Sequence, residues 1–160
     1  MNEISVKEFL NKMKNLVNYS NNFTINYIDK NDEEILDLNK QQIFDGKQKT
    51  NKEINGEYSE FTERMNAGES FNFNGKSKTK KAGDTYFLLD SKEFFNSFKE
   101  KTNKDNFNIV ADTLKKNKKG YTNLLSYGKD ILGLSNENIL NLQIDISKEL
   151  TIDLQQNYFK

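Results

Sequence analysis

Residues 88–98, LLDSKEFFNSF, constrain this chain more than any other stretch, because they join a helix start, an aromatic face and an exit towards a hairpin. Asp90 is placed to cap a short helix, and Glu93, three residues on, can return a bond to the cap's own amide. Phe94, Phe95 and Phe98 then fall on or beside one face, which must press against apolar neighbours, in the core or at a subunit interface. Past Phe98 a polar strand to Thr102, a turn at Asn103, Lys104 and Asp105, and alternating Phe107, Ile109 and Ala111 predict a β-hairpin.

Helices flank this centre. Ser5 with Glu8 is a capping box, and Val6, Phe9, Leu10, Met13, Leu16 and Val17 recur at helical spacing to about Tyr19. Asn21 and Asn22 read as a turn before a short strand with Phe23, Ile25 and Tyr27 in alternation. A second helix is expected from Asp32, carrying Ile35, Leu36, Asn39 and Ile43 inward and stopping before Gly46, with Asp32, Glu33 and Glu34 at its positive end. Thr85 to Leu89 reads as a strand, 115–120 as a loop, and 122–127 as a helical turn stopped by Gly128. Ser135 caps a last helix with Ile139, Leu142, Ile146 and Leu150 in one stripe that Leu140 and Ile144 widen, so its first half is expected to be buried and its end to project.

Between residues 45 and 84 the periodicity lapses, and Gly46, Gly56, Gly68, Gly75 and Gly83 punctuate the segment. So long a loop is either disordered or an arm that orders against another protein. Tyr58, Phe61, Met65, Phe71 and Phe73 favour the arm, with Tyr58, Phe61, Phe71 and Phe73 as its interface anchors. Lys76, Lys78, Lys80 and Lys81 form a basic run beside them.

Composition narrows the chemistry. Apolar residues make up 34% of the chain against 30% charged, so the core is expected to be small for its surface and open to completion by neighbours. Basic and acidic residues balance at 24 each, which argues against a global positive field for nucleic acid, although local patches remain open. Cysteine and histidine are both absent, which removes thiolate metal sites, disulfides and every Ser/His or Cys/His nucleophile. Carboxylate pairs such as Glu33 and Glu34, or Asp145 and Glu149, read as solvated faces, and no glycine pattern suits a phosphate. No cofactor, metal or catalytic residue is expected. No apolar stretch approaches the roughly 18 residues of a membrane helix, and no leader pattern opens the chain, so a soluble product made in the cytoplasm is expected.

Three segments resemble the virion-morphogenesis or tail-completion proteins of tailed phages, small structural subunits that join head to tail. Leu88, Leu89, Asp90, Ser91, Lys92, Glu93, Phe94, Phe95 and Ser97 stand in the order of the family's run before its hairpin, with Ser91 and Lys92 where the family has Thr-Gly. Tyr127, Gly128, Asp130, Ile131, Leu132, Gly133, Leu134 and Ser135 resemble the segment before its closing helix. Leu38, Asn39, Gln42, Ile43 and Gly46, then Gly56, Glu57, Tyr58, Ser59 and Thr62, resemble an early segment of related phage structural proteins.

The resemblance implies a non-enzymatic virion protein, made in the host bacterial cytoplasm and assembled as a homo-oligomeric ring in the neck between portal and tail. Its implied partners are other neck, portal or tail proteins, with Lys76 to Lys81 placed to meet packaged DNA non-specifically in the channel. The residues themselves predict a single α+β domain over 1–160, a small, mainly antiparallel sheet packed against N- and C-terminal helices, with 45–84 as a long loop or arm. The alternative function is a nucleic-acid-binding module working through the same lysine loop.

Overall fold

A computed structural model describes residues 5–89, 92–103, 106–117 and 120–159. The fold is α+β. Two helices open it, α1 (Val6–Lys30) and α2 (Asp32–Phe44), followed by α3 (Glu60–Met65), β1 (Phe71–Phe73), β2 (Lys76–Lys78) and α4 (Lys92–Asn96). Strands β3 (Lys99–Thr102), β4 (Phe107–Val110), β5 (Leu114–Asn117) and β6 (Gly120–Asn123) lead through a 3-10 turn at Leu124–Tyr127 to α5 (Asn136–Asp153) and a closing π turn, Leu154–Tyr158. The strands form three separate antiparallel pairs, β1-β2, β3-β4 and β5-β6.

The core is built where α2 meets the 88–98 stretch. Ile35, Leu36, Ile43 and Phe44 of α2 are buried with Phe87, Leu89, Phe94, Phe95, Phe98 and Ile109. Aromatic edges interlock there: Phe44 meets Phe87 at 5.5 Å and Phe73 at 6.0 Å, Phe73 meets Phe95 at 5.3 Å, and Phe94 meets Phe98 at 5.0 Å. Apart from the tilted Phe44–Phe73 pair these are edge-on contacts, which add to area burial because the positive ring edge faces a negative ring face. Phe94 and Phe95 of α4, and Phe98 just beyond it, are therefore core residues. The Asp90 cap predicted for this helix lies outside the described residues, as do Lys104 and Asp105 of the predicted hairpin turn.

Several expectations are corrected. Phe23, Ile25 and Tyr27 are not a strand, because α1 runs unbroken to Lys30 through Asn21 and Asn22. The Ser20 and Thr24 hydroxyls bond back to the carbonyls four residues earlier, at 2.9 Å each, which accommodates polar and β-branched residues inside a helix. Phe23 and Tyr27 stay on one face, and Ile28 is buried, so tertiary packing overrides local propensity. Residues 115–120 are not simply a loop, since Leu114 pairs with Asn123 and Lys115 with Thr122 in the β5-β6 hairpin. Of the strand expected from Thr85 to Leu89 only a single bridge forms, Glu57 to Thr85, and Leu88 takes a left-handed φ of 49°. The first half of α5 is not buried: α5 contains no buried residue and rests on α1 through a half-buried stripe that includes Leu142 and Ile146.

The central segment, 45–84, folds onto its own chain. Ile54 and Tyr58 are buried, Phe71 and Phe73 pack on the core, and the Tyr58 and Gly83 amides bond the Asp84 and Tyr58 carbonyls at 3.0 Å each. Gly56 turns the chain at φ 97°, and a β-carbon there would lie 2.4 Å from the Tyr86 ring, so both the angle and the contact require glycine.

Candidate interaction surface

Two polar side chains of α2 hold the segment that leads into α5. Asn39 is fully buried, donating from Nδ2 to the Ile131 carbonyl and accepting from the Gly133 amide, both at 3.0 Å. One turn on, Gln42 donates to the Gly133 carbonyl at 3.2 Å and accepts from the Ser135 amide at 2.8 Å. Each amide thus bonds a backbone carbonyl through its nitrogen and a backbone N–H through its oxygen, the two-atom donor and acceptor set of a carboxamide. Ile131 and Leu134 fill the space beneath, and the Ser135 hydroxyl caps α5 through the Asn138 amide at 3.2 Å. The Lys49 amide bonds the Asp130 carbonyl at 2.8 Å and the Asn55 amide bonds the Tyr127 carbonyl at 2.6 Å. Side chains from residues 38–58, from 87–89 and 94–98, and from 124–134 therefore share one interior.

The predicted interface anchors divide. Tyr58 is buried against Tyr86 and Phe87, and its hydroxyl accepts from the Phe87 amide at 3.3 Å. Phe71 lies 5.5 Å from Phe87 and Phe73 lies between Phe44 and Phe95, so these three serve the interior of their own chain. Phe61 stays outside, 69% exposed on α3 beside Met65 at 67%.

The lysine run divides as well. Lys76 is paired with Asp45 at 2.9 Å, and Lys78 lies over the Phe44 and Phe87 rings at 5.5 and 5.8 Å. Lys80 is buried, 4.4 Å from the centre of the Phe71 ring and 5.7 Å from that of Tyr58. Lysine stems cover apolar rings here while the ammonium is held by ring quadrupoles. Lys81 is exposed. The geometry does not present the four as one phosphate-binding row.

Behind Tyr58 lies a cavity of about 350 Å³ walled by Tyr86, Leu88, Phe94 and Tyr127, with Glu93 and Asp112 on its lining. The Asp112 carboxylate accepts from the Leu114 amide at 2.9 Å, which ties it to the start of β5.

The surface least accounted for by the chain's own packing is the start of α1. Its register with α5 is antiparallel: Tyr27 sits near Asp145 and Glu149, and Tyr19 donates a hydrogen bond to Asp153 and stacks on Tyr158 at 4.8 Å. That bond holds the Asp153 carboxyl below its ordinary value, helped by Asn157, and raises the Tyr19 phenol. Desolvation raises Tyr27, and Asp145 adds to it. Every residue from 5 to 15 is exposed. The helix start is nevertheless well made, with the Ser5 hydroxyl accepting from the Glu8 amide at 3.2 Å. Val6 is 76% exposed, Phe9 52%, Leu10 59%, Met13 43% and Val17 53%, an apolar seam repeating at heptad spacing that stays exposed among the described residues.

The sequence shows this seam as one apolar helix face and leaves open what covers it. Its exposure could have been anticipated only from the low overall apolar content, which leaves room for just one compact interior. No protein-family model, curated protein or solved structure matches the chain. No helix of the described residues is long and apolar enough to cross a membrane.

Proposed function

We propose that this chain is a structural protein of a tailed-phage virion, a ring-forming head-to-tail connector or tail-completion subunit of the neck. The observation that carries the reading is the bare apolar seam of α1, a well-capped helix start whose large side chains face solvent. A helical segment of about three turns is marginal alone in water, and a face of this kind is stabilised by packing on a partner. The motif residues give independent support, because a shared interior is what a resemblance in three separated segments requires. Assembly, rather than turnover, is then the work of the protein, with neighbouring subunits and other neck, portal or tail proteins as its partners.

The test is location. Antibody labelling of intact virions is expected to mark the neck, and the chain should be recovered from purified particles in a fixed ratio to the portal protein. Its absence from purified particles would sink the assignment. The nucleic-acid reading has less support from the geometry, since Lys76, Lys78 and Lys80 are engaged with Asp45 and aromatic rings.

A further inference from the structure

We propose that the cavity behind Tyr58 is a binding site for a small organic cation, an arylalkyl ammonium whose ring lies among the aromatic walls and whose ammonium meets Asp112. The inference goes beyond the virion reading and does not depend on it. Three observations carry it.

The first is a preformed space. Its volume of about 350 Å³ lies within the usual range for small-ligand sites. The walls come from separated stretches, residues 58–62, 86–88, 93–97, 112–115 and 122–127, and they are tied to one another. The Tyr86 ring packs directly on Gly56 and meets Tyr58 at 4.8 Å and Tyr127 at 5.3 Å, edge to face in both cases. Ser97 links α4 to the approach to β5, donating to the Phe94 carbonyl at 2.7 Å and accepting from the Asp112 amide at 2.9 Å. Leu88 completes a wall at its left-handed φ of 49°, an angle that costs a bulky residue energy and that clusters where proteins hold ligands.

The second is the chemistry of the walls. Tyr58, Tyr86, Phe94 and Tyr127 supply aromatic rings on which an aryl group packs, and ring faces attract positive charge. The chain uses the same attraction in its own packing, with the Lys80 ammonium 5.7 Å from the centre of the Tyr58 ring.

The third is charge. Among the described lining residues the carboxylates of Glu93 and Asp112 outnumber Lys115, which also borders the neighbouring hollow with Phe61, Met65 and Glu69. Asp112 is fixed in place, because its carboxylate accepts from the Leu114 amide while its own amide is held by Ser97. It is exposed, so it meets the charged end of a ligand at the mouth and leaves the apolar floor to the ring. A carboxylate accepts several hydrogen bonds, and one to an ammonium is charge-assisted. Rings and carboxylates thus select the same ligand, an apolar body with a positive end.

The probe is phenethylammonium, titrated into the full chain and followed by the methyl NMR signals of Leu88, Leu114 and Leu124, which line the cavity. Saturable shifts are expected at these leucines and not across the surface. The neutral analogue 2-phenylethanol should bind about tenfold more weakly, and the anionic 3-phenylpropanoate more weakly still. Asp112→Asn keeps an oxygen for the Leu114 amide and should remove most of the preference for ammonium over alcohol, a change that a purely structural role would not produce. Leu114→Trp, at a side chain already 57% exposed, should fill the mouth and abolish the shifts while the melting temperature holds. No saturable shift, equal affinity for the three probes, or an undiminished ammonium preference in Asp112→Asn would each overturn the inference. So would tighter binding of N-acetyl-lysine methylamide, which would place a protein's lysine in the site instead of a free amine.

Discussion

The Asn39 and Gln42 latch and the start of α1 both depend on helices, yet they use their residues in opposite ways. In the latch, polar side chains are buried and every bond is made within the chain: Asn39 has no exposed surface and satisfies a carbonyl and an amide of the 131–133 segment. On α1, large apolar side chains are exposed and unpaired over residues 6–13. The first arrangement is stable in a single molecule because buried polar groups find partners. The second lowers its free energy only by association, because apolar surface stays in water until another surface covers it. The difference separates what holds the monomer together from what it offers to neighbours.

Substitutions should separate these regions cleanly. The largest loss is expected at Phe44, fully buried among Phe73 and Phe87. Phe44→Ala should cost about 3–5 kcal/mol in denaturant unfolding, from lost burial and the cavity left behind. Asn39→Ala comes next, at about 3 kcal/mol, since the Ile131 carbonyl and the Gly133 amide would lose their partner inside the fold. If that variant unfolds like the parent, the latch is not the organising contact proposed.

At the start of α1, Phe9→Ser with Met13→Ser should alter monomer stability by less than about 0.5 kcal/mol, because both side chains are exposed. A large drop in melting temperature at a concentration where the parent is monomeric would mean that the seam packs within the chain.

Glu100 supplies a smaller, pH-dependent effect. It lies on β3 opposite Ile109, on the face turned to α1 and α2, and its Oε1 is buried with no hydrogen-bond partner. Desolvation raises its pKa, and Asp29 and Asp32 add to the shift. A carboxyl raised on folding favours the folded state while protonated, so its contribution is present below the unfolded carboxyl range and is lost as pH rises through the folded value. Glu100→Gln should therefore stabilise the protein at neutral pH and flatten the stability profile on the acid side; an unchanged profile would count against the burial argument.

The smallest effect lies where α1 meets the end of α5. Asp153 is held low by Tyr19 and then Asn157, so its stabilising contribution is present above the ordinary carboxyl value and lost as pH falls through the lowered one. Tyr19→Phe should move the Asp153 titration part of the way back up, observable by NMR, with the Asn157 bond at 2.7 Å retaining the remainder.

Local patterns made much of this fold legible. The inward set of α2, the two N-caps at Ser5 and Ser135, the β3-β4 hairpin and the packing role of Phe94, Phe95 and Phe98 all follow from spacing and cap chemistry. The continuation of α1 did not, because an Asn-Asn pair is weak punctuation that a buried Ile28 and the Phe23 and Tyr27 face outweigh. The interface anchors were only partly legible. Tyr58, Phe71 and Phe73 look like partner-seeking residues when periodicity lapses, since periodicity cannot register a segment that reaches the core through isolated side chains. Lys80 illustrates the same point: its charge suggests solvent, yet two aromatic rings receive it.

What the sequence alone determined was chemistry and local form: no thiol or imidazole, balanced charge, a small apolar complement, and helices and turns at positions set by caps, glycines and short-range spacing. Tertiary structure alone decided which apolar faces are covered. Spacing establishes that a helix has an apolar side, but whether that side meets its own chain depends on contacts between residues far apart in sequence. Here the interior closes around α2 and the 127–135 segment, α5 reaches α1 only as far as Tyr19, and the seam from Val6 to Met13 is left to solvent.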